Sequence, residues 1–279
     1  CFGCHSRSAR ISLSYSGLAE IDPETAAQQD SRLRLADGRH VERKPADVHF
    51  ASGMTCVACH KGVDLMASAG DAVYQRDAVA SRCAECHEIS RAVNQAHDPV
   101  HKRLECATCH SQWVPQCFGC HMQYDPDGRQ WDHIEQMETA GRWHEQRSDF
   151  RNELGAMGVN ANNRIELFTP GMVMTLEHPD WDVEKFVRLF APISPHTIGP
   201  ARSCESCHRS SVALGLGEGA IEYRDDAIHF APAHPLLSDG LPADAWTNID
   251  GSLGGRAPLK GQRPLSREEK EAVLKAPLR

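Results

Sequence analysis

All twelve cysteines of the chain lie in one five-residue motif, Cys-x-x-Cys-His, which occurs six times. In chain order the six motifs are Cys1–His5, Cys56–His60, Cys83–His87, Cys106–His110, Cys117–His121 and Cys204–His208. Two thiols about one helical turn apart can add to the two vinyl groups of a haem, and the imidazole that follows reaches the iron from one face. The pattern therefore predicts six haem c groups, with electron transfer as the chemistry.

Each motif assigns three residues to its haem. The predicted attachment residues are Cys1, Cys4, Cys56, Cys59, Cys83, Cys86, Cys106, Cys109, Cys117, Cys120, Cys204 and Cys207. The predicted proximal ligands are His5, His60, His87, His110, His121 and His208. Zinc sites and disulfides are the alternatives for paired cysteines, but neither requires a histidine after every pair.

Ten further histidines could supply the sixth ligand of the irons. Four stand shortly before a motif and are the strongest candidates: His49, His97, His101 and His196. His229 and His133 are weaker candidates. This supply favours bis-histidine haems, with methionine as a less favoured ligand, and the spacing does not indicate which histidine serves which iron.

Composition restricts the partners. The formal net charge is −8, and haem propionates would make it more negative, which argues against nucleic acid and anionic membranes. No apolar run is long enough to span a bilayer, and we expect no transmembrane segment. Covalent haem attachment implies export, so we expect a periplasmic or extracellular protein. We also expect that the natural N-terminus lies before Cys1, because the chain begins inside a motif.

Six haems in 279 residues leave about 46 residues for each, too few for an ordinary core around every haem. We therefore predict a mostly irregular fold with short α-helices and little β-structure, wrapped around a chain of six haems. Motif spacing suggests a five-haem region over 1–121, a haem-free insert over 122–203 and a single-haem region over 204–279, packed as one continuous unit.

A few local elements can be predicted. Val183, Phe186, Val187 and Phe190 follow helical spacing, which predicts an amphipathic helix that ends at Pro192. Alternation over 172–176 predicts a short strand. A helix is expected to begin near Asp22, and Ser266 with Glu269 predicts a capped final helix through about Lys275.

The residues around the motifs resemble large multihaem c-type cytochromes of respiring bacteria. The resemblance is carried by Met54–His60, by Cys106–Trp113 with Gln116–His121, and by Ser203–His208 with Leu214–Gly217. It extends from His49 to about Gly251 and implies bis-histidine haems in a periplasmic or extracellular respiratory role. Some cytochromes of this type polymerise into filaments.

Two functions remain open at this point. The leading one is an electron conduit without catalytic residues, whose partners are other cytochromes or redox proteins, or further copies in a homopolymer. The alternative is a multihaem oxidoreductase in which one open haem iron acts on a small nitrogen or sulfur oxyanion.

Overall fold

The computed structural model describes residues 9–28, 33–60, 83–89, 97 and 101–278. It is 18% helical and 39% strand, with a large mixed sheet. The prediction of a mostly irregular fold with little β-structure is therefore wrong. That prediction assigned much of the interior to haem, whereas the chain after Ser111 buries an apolar core of its own. The first motif, with Cys1, Cys4 and His5, lies outside the described residues.

The main sheet has six strands: β4 (Val114–Asp132), β5 (Met137–Glu153), β6 (Ala156–Val159), β7 (Ile165–Glu177), β8 (Lys185–Pro192) and β11 (Arg263–Pro264). Its order is β11-β6-β7-β4-β5, and β8, which is not on this path, also pairs with β7. All of these pairs are antiparallel except β4 with β7. Since β11 lies near the C-terminus, residues after the sixth motif complete the sheet.

The long hairpin of β4 and β5 starts as an ordinary half-buried strand. Val114, Gln116 and Phe118 are buried, and the residues between them are less so, which is the two-residue period of a pleated strand. Further along, both faces become exposed and the hairpin extends outward to a turn at 133–136. There the Asp132 carboxylate accepts the backbone N–H groups of Ile134 and Glu135.

The helix predicted over 183–190 is a strand in the structure, so that prediction is wrong. β8 pairs antiparallel with β7, with Val173 opposite Arg188. The prediction rested on apolar spacing alone, which gives no sign that Arg188 is buried. Arg188 is only 6% exposed, since its guanidinium donates to the Asp239 carboxylate and to several backbone carbonyls. Along β8, Arg188 and Phe190 are buried and the residues on either side of each are less buried, which is the two-residue period of a strand.

Two apolar clusters stabilise the sheet. The first surrounds Trp246, whose ring stacks on Phe190 at 5.4 Å and contacts Phe168 at 4.5 Å between ring centroids. Trp246 and Phe168 are completely buried. The second cluster joins β6 and β7 to Leu214, Leu216 and the final helix. These contacts fix the sheet to the segment that carries the sixth motif.

Smaller elements flank the sheet. Strands β1 (Leu18–Ile21), β2 (Leu33–Arg34) and β3 (His40–Arg43) form a three-stranded sheet, and β9 (Gly219–Arg224) pairs with β10 (Ala227–Pro232). The helices are α1 (Arg10–Tyr15), α2 (Pro23–Gln28), α3 (Val48–Ala51), α4 (Cys56–Cys59), α5 (Cys106–His110), α6 (Glu205–His208) and α7 (Arg267–Lys275). None of the helices in the described ranges is long and apolar enough to cross a membrane.

Three local predictions are confirmed. Helix α2 begins at Pro23, after Asp22, whose carboxylate accepts the N–H of Thr25. The strand predicted over 172–176 lies within β7. Helix α7 begins with the predicted capping box, because Ser266 and Glu269 each accept the backbone N–H of the other.

Candidate haem-binding sites

Most of the described motifs adopt a single tight turn. The second, fourth and sixth motifs lie in the short helices α4, α5 and α6, and the third forms a 3-10 turn at Cys83–Glu85. In three of them the N–H of the final histidine donates to the carbonyl of the first cysteine at 2.8–2.9 Å: His60 to Cys56, His87 to Cys83 and His208 to Cys204. This turn presents both thiols and the imidazole from one short segment.

Opposite each of these four motif histidines lies one of the spare histidines. The pairs, with the distances between ring centroids, are His49 and His87 at 6.0 Å, His60 and His196 at 6.0 Å, His97 and His110 at 6.3 Å, and His101 and His208 at 6.4 Å. The four spare histidines are the four that the sequence ranked highest. Only His97 faces the motif that directly follows it.

The spacing within these pairs suits one iron between two imidazoles. An imidazole nitrogen binds a metal at about 2 Å, and the ring centre lies about 1.1 Å behind that nitrogen. Two imidazoles on opposite sides of one iron should therefore have ring centroids about 6.2 Å apart. The observed range of 6.0–6.4 Å brackets this value, so the residues at these four motifs fit the haem that the motif implies.

Hydrogen bonds at Nδ1 orient four of the eight rings. His110 Nδ1 lies 3.1 Å from the Gly199 carbonyl and His208 Nδ1 lies 2.6 Å from the Val273 carbonyl. His196 Nδ1 lies 3.0 Å from the Ser194 carbonyl. A ring that donates its Nδ1–H to a carbonyl keeps the Nε2 lone pair free for a metal. Burial also lowers the pKa of His196, which favours the neutral form that binds metals.

The fourth oriented ring, His49, bonds to a carboxylate. Its Nδ1 lies 2.8 Å from Asp47 Oδ1, and Asp47 is only 2% exposed. Asp47 also accepts the backbone N–H of His49 at 2.9 Å and that of Ile198 at 2.6 Å. One buried carboxylate therefore holds the His49 ring and the segment two residues after His196.

The two weaker candidates lie elsewhere. His133 is exposed in the turn between β4 and β5, where its carbonyl accepts Gln136 Nε2. His229 is exposed on β10, opposite Glu222. The contacts described for these two residues do not bring either of them to a motif histidine.

The fifth motif differs from the others, because Cys117, Cys120 and His121 lie in the middle of strand β4. Gly119, with φ of +68°, and a register shift before His121 bring the two sulfur atoms to 4.0 Å. The hydrogen bond between the thiols lowers the pKa of Cys117 and raises that of Cys120. His121 Nε2 lies 3.0 Å from the carboxylate of Glu177. In the described part of the chain, this motif histidine therefore faces a carboxylate where the other four face an imidazole.

The third, fourth and sixth motifs are close together although the last is far away in sequence. The side chains of Cys83 and Cys106 lie close to each other. The backbone N–H of Arg202 donates to the Cys109 carbonyl at 2.9 Å. With the histidine pairs, these contacts join the second, third, fourth and sixth motifs into one cluster.

Arg202 is a half-buried cation within this cluster. Its guanidinium lies near the side chains of Cys109 and Cys207, donates from Nε to Ser206 Oγ at 2.7 Å and also bonds to the Ser206 carbonyl. Its Nη1 is shielded from solvent and has no hydrogen-bond partner among the residues that the structure describes. Sequence reasoning missed Asp47, Glu177 and Arg202, since none belongs to a motif; proximity in sequence to His49 and to Cys204 was the only signal for Asp47 and Arg202.

Comparison with known families found a match over part of the chain. Residues 42–111 match the family model described as cytochrome c7 and related cytochrome c. The matched region contains the second, third and fourth motifs together with His49, His97 and His101, and it ends before β4. No curated protein and no solved structure matched the chain. The match supports a multihaem c-type cytochrome, with haem c as cofactor and multihaem electron transfer as the function.

Proposed function

We propose that the chain is an electron conduit that binds six haem c groups, with two axial histidines at the second, third, fourth and sixth. The observation that carries this proposal is the set of four histidine pairs with ring centroids 6.0–6.4 Å apart. The six copies of the motif support the haem count, including the first, which lies outside the described residues.

Two axial histidines suit an electron carrier better than an enzyme. An iron with six permanent ligands has no position for a substrate, so its chemistry is restricted to changing oxidation state. The cross-pairing supports a continuous path, because a ligand of one haem precedes the attachment motif of another. His49 lies shortly before the second motif but faces His87 of the third, and His101 lies before the fourth but faces His208 of the sixth.

The partners in this proposal are other cytochromes or redox proteins outside the cytoplasm, in a respiratory chain of the periplasm or the cell exterior. The cysteines of the second and third motifs are exposed, so haems attached there would lie near the surface, within reach of a partner's haem. A further copy of the chain could occupy the same position, and repeated contacts of this kind would build a filament. Electron microscopy of the purified haem protein tests assembly, and single particles at all concentrations would reject the filament.

Intact-mass analysis combined with electron paramagnetic resonance tests the proposal itself. The mass should exceed that of the polypeptide by six haems, and no thiol should react with an alkylating reagent. The oxidised protein should show low-spin signals from at least four haems. Fewer than six haems after complete maturation would reject the haem count, and high-spin signals from most haems would reject the electron conduit.

A second function is supported by the fifth motif. His121 faces Glu177 rather than a histidine, so a haem at this motif is the candidate for an iron with an exchangeable sixth position. Such an iron could act on a small nitrogen or sulfur oxyanion, and Glu177 would then be an acidic group beside the site. A high-spin haem that binds nitrite or cyanide, and that is lost in a Cys117→Ala/Cys120→Ala variant, would favour this function. A fully low-spin protein would exclude it.

A further inference from the structure

We propose that a buried anion and a half-buried cation give the haem cluster a direction, so that electrons run from the haems of the second and third motifs to those of the fourth and sixth. The anion is Asp47 and the cation is Arg202. This inference rests on the proposed function, since it concerns the reduction potentials of haems bound at those motifs.

Asp47 is placed to affect both haems at one end of the cluster. Its carboxylate accepts the Nδ1–H of His49, which faces His87 of the third motif, and it holds Ile198, two residues after the His196 that faces His60 of the second. A ligand imidazole is neutral and therefore does not cancel the charge of the carboxylate. An anion bonded to a ligand imidazole makes the nitrogen on iron more basic and stabilises the ferric state. The haem of the third motif should therefore have a low potential, and the same charge should lower the potential of the second haem through space.

Arg202 is placed to affect both haems at the other end. Its guanidinium lies near Cys109 of the fourth motif and Cys207 of the sixth. It donates hydrogen bonds to the hydroxyl and the carbonyl of Ser206, which are both uncharged. Thioether formation removes the ionisable thiols, so these sulfur atoms cannot neutralise the guanidinium, which keeps its proton. A cation close to a haem stabilises the ferrous state, which carries one positive charge less. These two haems should therefore have high potentials.

Other charges near the cluster should weigh less. Glu105, directly before the fourth motif, is paired with Arg164, and both side chains are more than a third exposed. The fields of a pair partly cancel, and solvent screens exposed charges more strongly than buried ones. Asp47 is buried and Arg202 is half-buried, and within the described residues neither has an ion-pair partner once the histidines bind iron, so their fields should dominate.

The transfer itself needs no proton and no bond change. One electron leaves a ferrous iron at the second or third motif, which becomes ferric, and one ferric iron at the fourth or sixth becomes ferrous. A reduced redox protein would supply the electron at the first end, and an oxidised redox protein would accept it at the other. The Nδ1–H of His49 stays bonded to Asp47 in both oxidation states.

Spectroelectrochemical titration of the haem protein tests the direction. Arg202→Gln should lower the reduction potential of the highest-potential haems by at least about 59 mV. For a one-electron couple this is a tenfold change in the ratio of oxidised to reduced haem at a given potential. Arg202→Lys keeps the charge and should restore most of the shift. Asp47→Asn keeps a hydrogen-bond acceptor for His49 but removes the charge, and it should move the lowest-potential haems upward by a similar amount.

Exposed charges provide matched controls. Arg224→Gln and Asp37→Asn each remove one charge from a side chain that is more than half exposed, and neither should shift the reduction potential of any haem. If Asp47→Asn fails to fold, the Arg202 variants still test whether this cation raises the potentials of the fourth and sixth haems. A titration unchanged by Arg202→Gln, or shifts of the opposite sign, in a protein whose haems remain low-spin would overturn the direction and leave the electron conduit intact.

Discussion

The replacement of His101 by alanine tests the pairing of histidines across motifs. His101 lies five residues before Cys106, so proximity in sequence would assign it to the fourth haem. In the structure its ring faces His208 of the sixth motif at 6.4 Å. We therefore expect His101→Ala to open the iron of the sixth haem and to leave the fourth with both of its axial ligands.

The size of the effect follows from the geometry. The missing imidazole has its centre about 3.1 Å from the iron, so its removal leaves room for a diatomic ligand at the sixth position. One haem of six should become high-spin in the oxidised protein, and the reduced protein should gain one carbon monoxide site per chain. Absorbance titration with carbon monoxide measures this number, and electron paramagnetic resonance measures the spin state.

A second substitution identifies which haem has opened. In a background without the sixth haem (Cys204→Ala/Cys207→Ala), His101→Ala should add no carbon monoxide site, because the haem that it serves is already missing. In a background without the fourth haem (Cys106→Ala/Cys109→Ala), the new site should persist. His234→Ala is the control, since its ring bonds to Glu218 at the surface, and it should open no iron. The opposite dependence on the two backgrounds, or an unchanged low-spin spectrum in His101→Ala, would refute the pairing.

Three further predictions concern the part of the fold that holds the motifs. The pKa of Glu269 is about 2, because burial, which raises it, is outweighed by hydrogen bonds from Arg263 and the Ser266 N–H. The contribution of this carboxylate to stability, about 3 kcal/mol, is therefore present above pH 4.5 and lost as pH falls toward 2. Glu269→Gln should remove that acid dependence from denaturant unfolding. Burial lowers the pKa of Lys270 to about 8, so the unfolded state binds more protons than the folded state between pH 8 and 10.5. The free energy of unfolding should therefore rise by about 3 kcal/mol across that window, and Lys270→Met should flatten the rise. Trp246→Ala should cost about 3–5 kcal/mol in denaturant unfolding, since the completely buried ring packs on Phe168 and Phe190; a loss below 1 kcal/mol would contradict the assignment of the core.

The sequence predicted the haem chemistry better than the fold, for physical reasons. Attachment of haem c requires two thiols and an imidazole at fixed spacing, so a local motif is sufficient to recognise it. Candidate distal ligands could be named because any imidazole that binds iron must be a histidine in the sequence. Their partners were not predictable, because the pairing of His101 with His208 depends on how the chain brings distant segments together.

The β-sheet was missed because its signals were weak or misleading. The apolar spacing of Phe186, Val187 and Phe190 is typical of a helix, and it gives no sign that the guanidinium of Arg188 is buried among carbonyls. The hairpin of β4 and β5 also contains the fifth motif, which was expected to form a helical turn. Local propensity is overridden there by pairing with Phe150 and Asp149 on β5.

An experimental structure of the haem protein with every sixth ligand resolved tests the central claim most directly. We predict iron between His49 and His87, between His60 and His196, between His97 and His110, and between His101 and His208. The polypeptide should shift little at these residues when haem is present, because the rings already stand at the required spacing. A structure in which these four irons are bound by other histidines, by methionine or by water would contradict the claim.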